Sequence, residues 1–311
     1  MTKSFELYNK SPRPSMKHLN YFPVYDSIFE EYRGKPIVFV EVGVLDGGSL
    51  FMWRELFGPT ARIIGIDLNP EALKWKDSGF EIYIGDQSDL SFWEKFYDEV
   101  GEIDLLLDDG GHTNLQQVTT VIAALPFVKD GGKIIVEDTH SGYLPEFGNP
   151  SRASINEFAK LGIDSMHARF PGLSIPRSEF SKAVWSISFF ESITLFHINR
   201  NYCQLNSATS NNGSLLNGKP NSDFRYDQDS MPLQFLKLVD RIARVDFKSV
   251  GGNRTFLRPF NILIDHPLKR SALRTILLPF HLLSKSLILI DLRARNFVLR
   301  HRFQKYFRKL S

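Results

Sequence analysis

The sequence predicts an α/β domain: a doubly wound, mostly parallel seven-stranded sheet, followed by a basic helical C-terminal extension. Three observations carry this expectation. From residue 37 to about residue 200, short apolar runs alternate with stretches of helical spacing. The runs are β-branched or Leu-rich and end close to glycine or acidic residues, as strands covered on both faces do. Two further runs, 184–190 and 192–198, lie one residue apart and read as an antiparallel hairpin closing the sheet edge.

In chain order, the strands are expected at 37–42 (IVFVEV), 63–67 (IIGID), 82–85 (IYIG), 104–109 (DLLLDD) and 133–138 (KIIVED). Helices are expected at 49–57, 91–99 and 113–127. Alternation of this kind places parallel strands side by side with helices on both faces. Residues 1–205 form the expected domain. Residues 206–232, rich in Asn, Ser, Gly and Asp, read as a linker or loop, and 233–311 as the basic extension.

Composition narrows the function classes. Twenty-six Phe and an aromatic content of 13% supply a sizeable core and argue against a disordered chain. One cysteine, Cys203, excludes a disulfide framework and a zinc site built from several thiolates. The first fourteen residues hold no apolar segment of the signal-peptide kind. No run approaches the roughly 20 apolar residues of a membrane span. The richest, 276–292, is broken by Pro279, His281 and Lys285. A cytoplasmic location is expected on these grounds.

The first strand runs into Glu41-Val42-Gly43-Val44-Leu45-Asp46-Gly47-Gly48-Ser49. A glycine-bearing turn between strand and helix permits close approach of a ligand to the backbone, and an ordinary strand–helix turn would look the same. The dinucleotide fingerprint needs glycine two positions after Gly43, where Leu45 stands, so a nicotinamide oxidoreductase is disfavoured. An adenosyl sulfonium such as S-adenosylmethionine needs no pyrophosphate cradle. Asp67 closes the second strand, where a carboxylate can take both ribose hydroxyls, and Asp86 follows the third, within reach of an adenine amine. All of these fall on the carboxyl edge of the sheet, where doubly wound folds bind ligands.

The acid-rich segment is more informative. Asp108-Asp109-Gly110-Gly111-His112 follows the fourth strand and Glu137-Asp138 the fifth. Carboxylates gathered at two neighbouring strand ends repel unless a cation compensates them. A hard divalent ion with oxygen ligands meets that need. The rival reading makes these acids solvated loop residues or helix caps, with Asp138 or Thr139 as the cap. His140 is the rival histidine to His112.

With these residues in place, the sequence resembles the macrocin and mycinamicin sugar O-methyltransferases, a metal-dependent branch of the Rossmann-like class I methyltransferases. The resemblance runs over about residues 21–200. Its landmarks are Glu41-Val42-Gly43-Val44, Gly47-Gly48-Ser49-Leu50 with Met52-Trp53, Gly65-Ile66-Asp67 and Gly85-Asp86-Gln87-Ser88-Asp89. Asp108-Asp109-Gly110-Gly111-His112 and Glu137-Asp138 with Tyr143 complete it. The resemblance implies that Asp109, Glu137 and Asp138 bind magnesium (or manganese) and that His112 is the general base. It implies that Glu41, Asp67 and Asp86 hold S-adenosylmethionine, and we group Gly43, Ser49, Gln87 and Asp108 with them. Gly111 departs from the family, which usually has Ser there.

The net charge of +3 conceals an asymmetry. Residues 266–311 contain eleven Lys or Arg and one acid, Asp291, so the rest of the chain is net acidic. Leu299, Phe303, Phe307 and Leu310 form a stripe facing away from several of Arg295, Arg302, Lys305 and Lys309 at helical spacing. Such a helix suits an anionic membrane surface, or packs on the acidic body or a partner subunit of a homo-oligomer. Nucleic acid is not expected, because the aromatics sit in the apolar stripe rather than among the bases. The expected activity is methylation of a sugar hydroxyl on a glycoside or a polysaccharide or lipid-linked intermediate. The rivals are an aromatic diol as acceptor and a non-catalytic, membrane-tethering adenosylmethionine-binding subunit.

Overall fold

The computed structural model describes residues 2–148, 153–171, 173, 175–207 and 209. The basic extension and most of the expected linker lie outside the described residues.

Seven strands form one sheet among the described residues: β1 (Val38–Val42), β2 (Arg62–Asp67), β3 (Glu81–Ile84), β4 (Ile103–Asp108), β5 (Val128–Val136), β6 (Val184–Phe190) and β7 (Ile193–Ile198). Their order is β3-β2-β1-β4-β5-β7-β6. Strands β1 to β5 pair in parallel, whereas β7 runs antiparallel to both β5 and β6. The mostly parallel sheet and its edge hairpin are thus as the sequence predicts. The strand order reverses between β1 and β4, which opens a crevice at their carboxyl ends.

Strand periodicity divides the core. Phe39, Leu105, Leu107 and Ile135 face one layer, with α1 (Lys3–Lys10), α2 (Tyr21–Phe29) and α3 (Gly48–Phe57). Val40, Val42, Leu106, Ile134 and Val136 face the other, with α4 (Leu90–Val100), α5 (Asn114–Ala124) and α6 (Ile155–Met166). A short α7 (Glu179–Ala183) leads into β6. Both sheet faces are covered, which is why the central strands read as nearly continuous apolar runs.

Boundaries shift for local reasons. Helix α5 stops at Ala124, short of the expected residue 127: Leu125 keeps helical dihedrals and donates to Val121 O, but Pro126 has no N–H to continue the ladder. Strand β5 begins at Val128, ahead of the expected 133, through a register shift around Gly131, whose φ is +88°. It ends at Val136, so Glu137 and Asp138 lie beyond it; Asp138 takes the left-handed conformation, φ 53°, which no strand continues. Among the described residues, no helix is long and apolar enough to cross a membrane.

Candidate active site

A cavity of about 600 Å³ occupies the crevice, and its wall includes Gly43, Asp67, Asp86, Asp109, His112 and Asp138. Residues from five strand ends that the sequence separates by nearly a hundred positions therefore face one space.

On the β1–β3 side the acids are held by backbone donors. Asp67 Oδ2 accepts from the N–H groups of Val44 and Leu45 (2.8 and 3.1 Å), and Oδ1 accepts from Asn69 N (2.8 Å). The carboxylate thus shapes the glycine loop while lining the cavity. Asp86 is exposed; its Oδ1 accepts from the N and Oγ of Ser88, both at 2.8 Å. Gly43 serves packing as well as access. Its φ is +93°, and a Cβ there would collide with the Asp109 carbonyl.

Gln87 is buried and lines the cavity. Its side chain points away from solvent, donating to Asp108 Oδ1 (2.9 Å) and Thr120 Oγ1 (3.1 Å) and accepting from Gly111 N (2.9 Å). It joins the loop after β3 to the turn before His112. Gly110 fits beneath it only because it lacks a side chain. The room a Ser at position 111 would need is held by the Gln116 amide, part of the capping box that starts α5.

Three further acids, Glu41 on β1, Asp108 at the end of β4 and Glu137 just after β5, are buried and bonded by side chains. Glu41 is fully buried under the cavity, accepting from Ser49 Oγ (2.7 Å) and Trp53 Nε1 (3.0 Å). Asp108 is buried too, with Oδ2 lacking a hydrogen-bond partner. Glu137 is fully buried and accepts from Tyr25 Oη and from Lys17 Nζ. Ser49 lines the cavity; Glu41, Asp108 and Glu137 do not. Burial pushes the carboxyls of Glu41, Asp108 and Glu137 up from the usual carboxylate range, against the pull of Lys17 on Glu41 and Glu137 and of Gln87 on Asp108.

The sequence reading missed Lys17, Tyr21 and Tyr25. Lys17 Nζ lies 2.6 Å from Asp109 Oδ2, 3.0 Å from Glu137 Oε2 and 3.6 Å from Glu41 Oε1, with its side chain 2% exposed. Burial alone would lower its pKa, but Asp109, Glu137, Tyr25 and Glu41 outweigh that and hold it well above the usual range. Removing one partner of such a buried pair costs about 3–5 kcal/mol, because the other charge is left uncompensated. The segment around Lys17 is fastened over the glycine loop. Ser11 Oγ donates to Gly48 O (2.8 Å), Tyr8 Oη to Ser15 O (2.6 Å), and Ser15, Met16 and Lys17 line the cavity. The sequence carries no local signal for this, apart from two tyrosines one helical turn apart.

Asp109, His112 and Asp138 offer ligand atoms that all lie within 4.8 Å of one another. His112 Nε2 is 3.4 Å from Asp138 Oδ2, and its Nδ1 is buried with no hydrogen-bond partner. Oxygens from two partly exposed carboxylates at the cavity wall fit a hard divalent ion. Glu137 is not among these atoms, since Lys17 and Tyr25 engage it. His140 bonds Ser192 through Nδ1 (2.5 Å) and does not line the cavity. Leu45, His112 and Asp138, three of the four non-glycine residues with positive φ among those described, all line it. Strain of this kind gathers where a site over-determines the backbone.

This sheet order, with its cavity at the β1–β4 crevice, has the fold of a Rossmann-like class I methyltransferase. The resemblance to the macrocin and mycinamicin sugar O-methyltransferases extends to both sequence and structure. The chain is 32% identical over 166 residues to a mycinamicin VI 2''-O-methyltransferase of Micromonospora griseorubida, covering 51% of this chain and 41% of that protein. It is 30% identical over 166 residues to a demethylmacrocin O-methyltransferase of Streptomyces fradiae, covering 51% and 42%. A solved structure of the MycE methyltransferase from the mycinamycin biosynthetic pathway, in complex with Mg, SAH and mycinamycin VI, matches with a TM-score of 0.58 and 26% identity. That match covers 64% of this chain and 54% of that one. The chain thus spans less than half the length of the curated relatives it matches. No protein-family model matches the chain.

Proposed function

We propose that this domain methylates a sugar hydroxyl of a glycoside, or of a polysaccharide or lipid-linked intermediate, using S-adenosylmethionine and a divalent ion, magnesium or manganese. The observation that carries the reading is that one cavity is shared by the loop-shaping Asp67 and Asp86 and by the Asp109–His112–Asp138 cluster. Relatives named for O-methylation of rhamnosyl and olivosyl compounds support a glycoside acceptor.

In this reading Asp67 binds the ribose hydroxyls and Asp86 the adenine end, while Gly43 and Ser49 line the approach. Asp109, Glu137 and Asp138 are the acids that would hold the ion, Asp109 and Asp138 from the cavity wall. The ion supplies acidity to an acceptor hydroxyl that is otherwise about as weak an acid as water. His112 then takes the hydroxyl proton, with Asp138 beside its Nε2 to stabilise the charge it acquires. Lys17 and Tyr25 on Glu137, and Tyr21 with its hydroxyl donating to Asp138 Oδ1, keep the acids in place.

The test is incubation of the full chain with S-adenosylmethionine, magnesium and panels of free, nucleotide-linked and lipid-linked glycosides. A mass gain of one methyl group that chelation abolishes is expected. Transfer to catechols but to no sugar would replace the acceptor class.

The basic 266–311 segment, by its sequence pattern, supports a peripheral position on the cytoplasmic face of an anionic membrane. The full chain should float with anionic vesicles at low salt and detach as salt rises. A salt-independent change of oligomeric state on deleting the segment would point to homo-oligomer packing instead.

A further inference from the structure

Strand β6, at the edge of the sheet, carries a bulge. Val184 pairs with Ile198 and Ser186 with His197, so Trp185 is an extra residue with no partner on β7. A bulge re-aims a side chain, and bulges gather at sheet edges and beside sites. The indole of Trp185 is 44% exposed and stands beside the ring of Tyr202, 62% exposed, with centroids 5.1 Å apart. The guanidinium of Arg169 lies 5.7 Å from the centre of the indole. Together with His167, Gln204 and Asn206, these three line a second cavity of about 410 Å³.

Hydrogen bonds fix its wall. Tyr202 N donates to Asn199 Oδ1 (3.2 Å). The next residue, Cys203, is fully buried; its thiol accepts from Arg169 Nη1 (2.8 Å) and its carbonyl from Arg177 Nη2 (2.8 Å). Arg169 Nε donates to Met166 O (3.0 Å). Among the described residues no carboxylate bonds Arg169, and none lines the cavity. Burial pushes the Cys203 thiol up, so it stays neutral and leaves the charge of Arg169 uncancelled.

We propose that this cavity is a second saccharide site, which takes an acidic sugar residue of an extended glycan. A pyranose offers a face of C–H groups and a rim of hydroxyls. The rings of Trp185 and Tyr202 match the face, since an exposed aromatic body with a polar tip suits a ligand that is half apolar and half wet. The amides of Gln204 and Asn206 match the rim. A guanidinium without an acid partner matches a carboxylate, which it can take through paired N–H groups. A purely apolar partner would instead cover that guanidinium and both amides without bonding them, which is costly. Trp185 sits just beyond the Lys133–His197 pair and Asp138 just beyond the Val136–Thr194 pair, which puts roughly 15–20 Å of strand between this site and the methyl-transfer cavity. Its use, anchoring a long chain that is methylated elsewhere along its length, rests on the sugar-acceptor reading above; the binding does not.

The test is calorimetry on the full chain with a hexasaccharide that alternates glucuronate and N-acetylglucosamine, and with its carboxyl-reduced form. Wild type should bind the acidic probe. Trp185→Ala and Tyr202→Ala should each weaken it at least about fivefold, and Trp185→Tyr should stay within about threefold, as expected for a stacking contact. The reduced probe keeps the ring and lacks the partner of Arg169, so it should bind at least about fivefold more weakly. Asp138→Asn, on the other cavity, should leave the affinity of the probe alone. No binding by wild type, or undiminished binding by Trp185→Ala and Tyr202→Ala, would overturn the site. Loss in Asp138→Asn with none in Trp185→Ala would put the probe in the methyl-transfer cavity and overturn it equally. Equal affinity for the two probes would overturn the acidic class. Should Trp185→Ala fail to fold by circular dichroism, Tyr202→Ala decides alone. If the transfer assay methylates no sugar, the anchoring use falls, and the calorimetry still decides the site.

Discussion

Asp67 and Glu137 are both carboxylates at the end of a parallel strand, yet they are satisfied in opposite ways. Asp67 lines the cavity and is held by backbone N–H groups of the loops it shapes. Glu137 is sealed from it and held by the side chains of Lys17 and Tyr25, more than a hundred residues upstream. The first arrangement leaves a carboxylate available to a ligand and tolerant of its departure. The second fixes a charge that cannot be removed without stranding another. Changes on the β1–β3 side should therefore act on binding, and changes on the β4–β5 side on turnover.

The largest expected effect tests the second half. His112→Ala should lower turnover by about 10²–10⁴ with affinity for the demethylated cofactor product nearly intact. Retention of most activity in His112→Gln would move the search for the base to His140. Next, a chelator should abolish turnover, with recovery on adding magnesium or manganese, while calorimetric binding of the cofactor product is unchanged. Full activity in chelator would erase the distinction between the halves.

On the other side, Asp67→Ala removes charge-assisted hydrogen bonds worth about 1.5–3 kcal/mol each. Cofactor affinity should fall at least about tenfold, the fold surviving by circular dichroism. Unchanged affinity would sink the role given to Asp67. The smallest effect belongs to exposed Asp86. Asp86→Ala should weaken cofactor binding by about two- to tenfold, as one ordinary hydrogen bond does, and leave the metal titration alone.

The same contrast explains what could be read in the sequence. Gly43, Asp67, Asp86, Asp109, His112 and Asp138 were legible because each sits next to a strand whose apolar run announces it, and a parallel sheet brings such ends together. Lys17 was not. It lies in a polar stretch without periodicity, and only the folded chain brings it to Asp109 and Glu137. Helix α2 was missed as well. Its buried residues Tyr21, Phe22, Val24, Tyr25, Ile28 and Phe29 keep helical spacing opposite Pro23, Asp26 and Ser27, but the helix has only nine residues and Pro23 in its first turn reads as a break. The position of Glu137 and Gln87 beside strand ends fixes their neighbourhood in the sequence reading, but not the direction of the side-chain bonds to Lys17, Tyr25, Asp108 and Gly111 that the folded chain gives them.

Gln87 shows what that direction can mean. A carboxamide has one end that only donates and one that only accepts. Asp108 requires the donor and the Gly111 N–H the acceptor, so this amide cannot turn over without losing both bonds. The loop carrying Asp86 and the turn carrying His112 are thereby latched together, with slack of about a few tenths of an ångström before a hydrogen bond breaks. Under the proposed roles, a displacement of the loop after β3 would be passed through this one amide to the turn that carries His112.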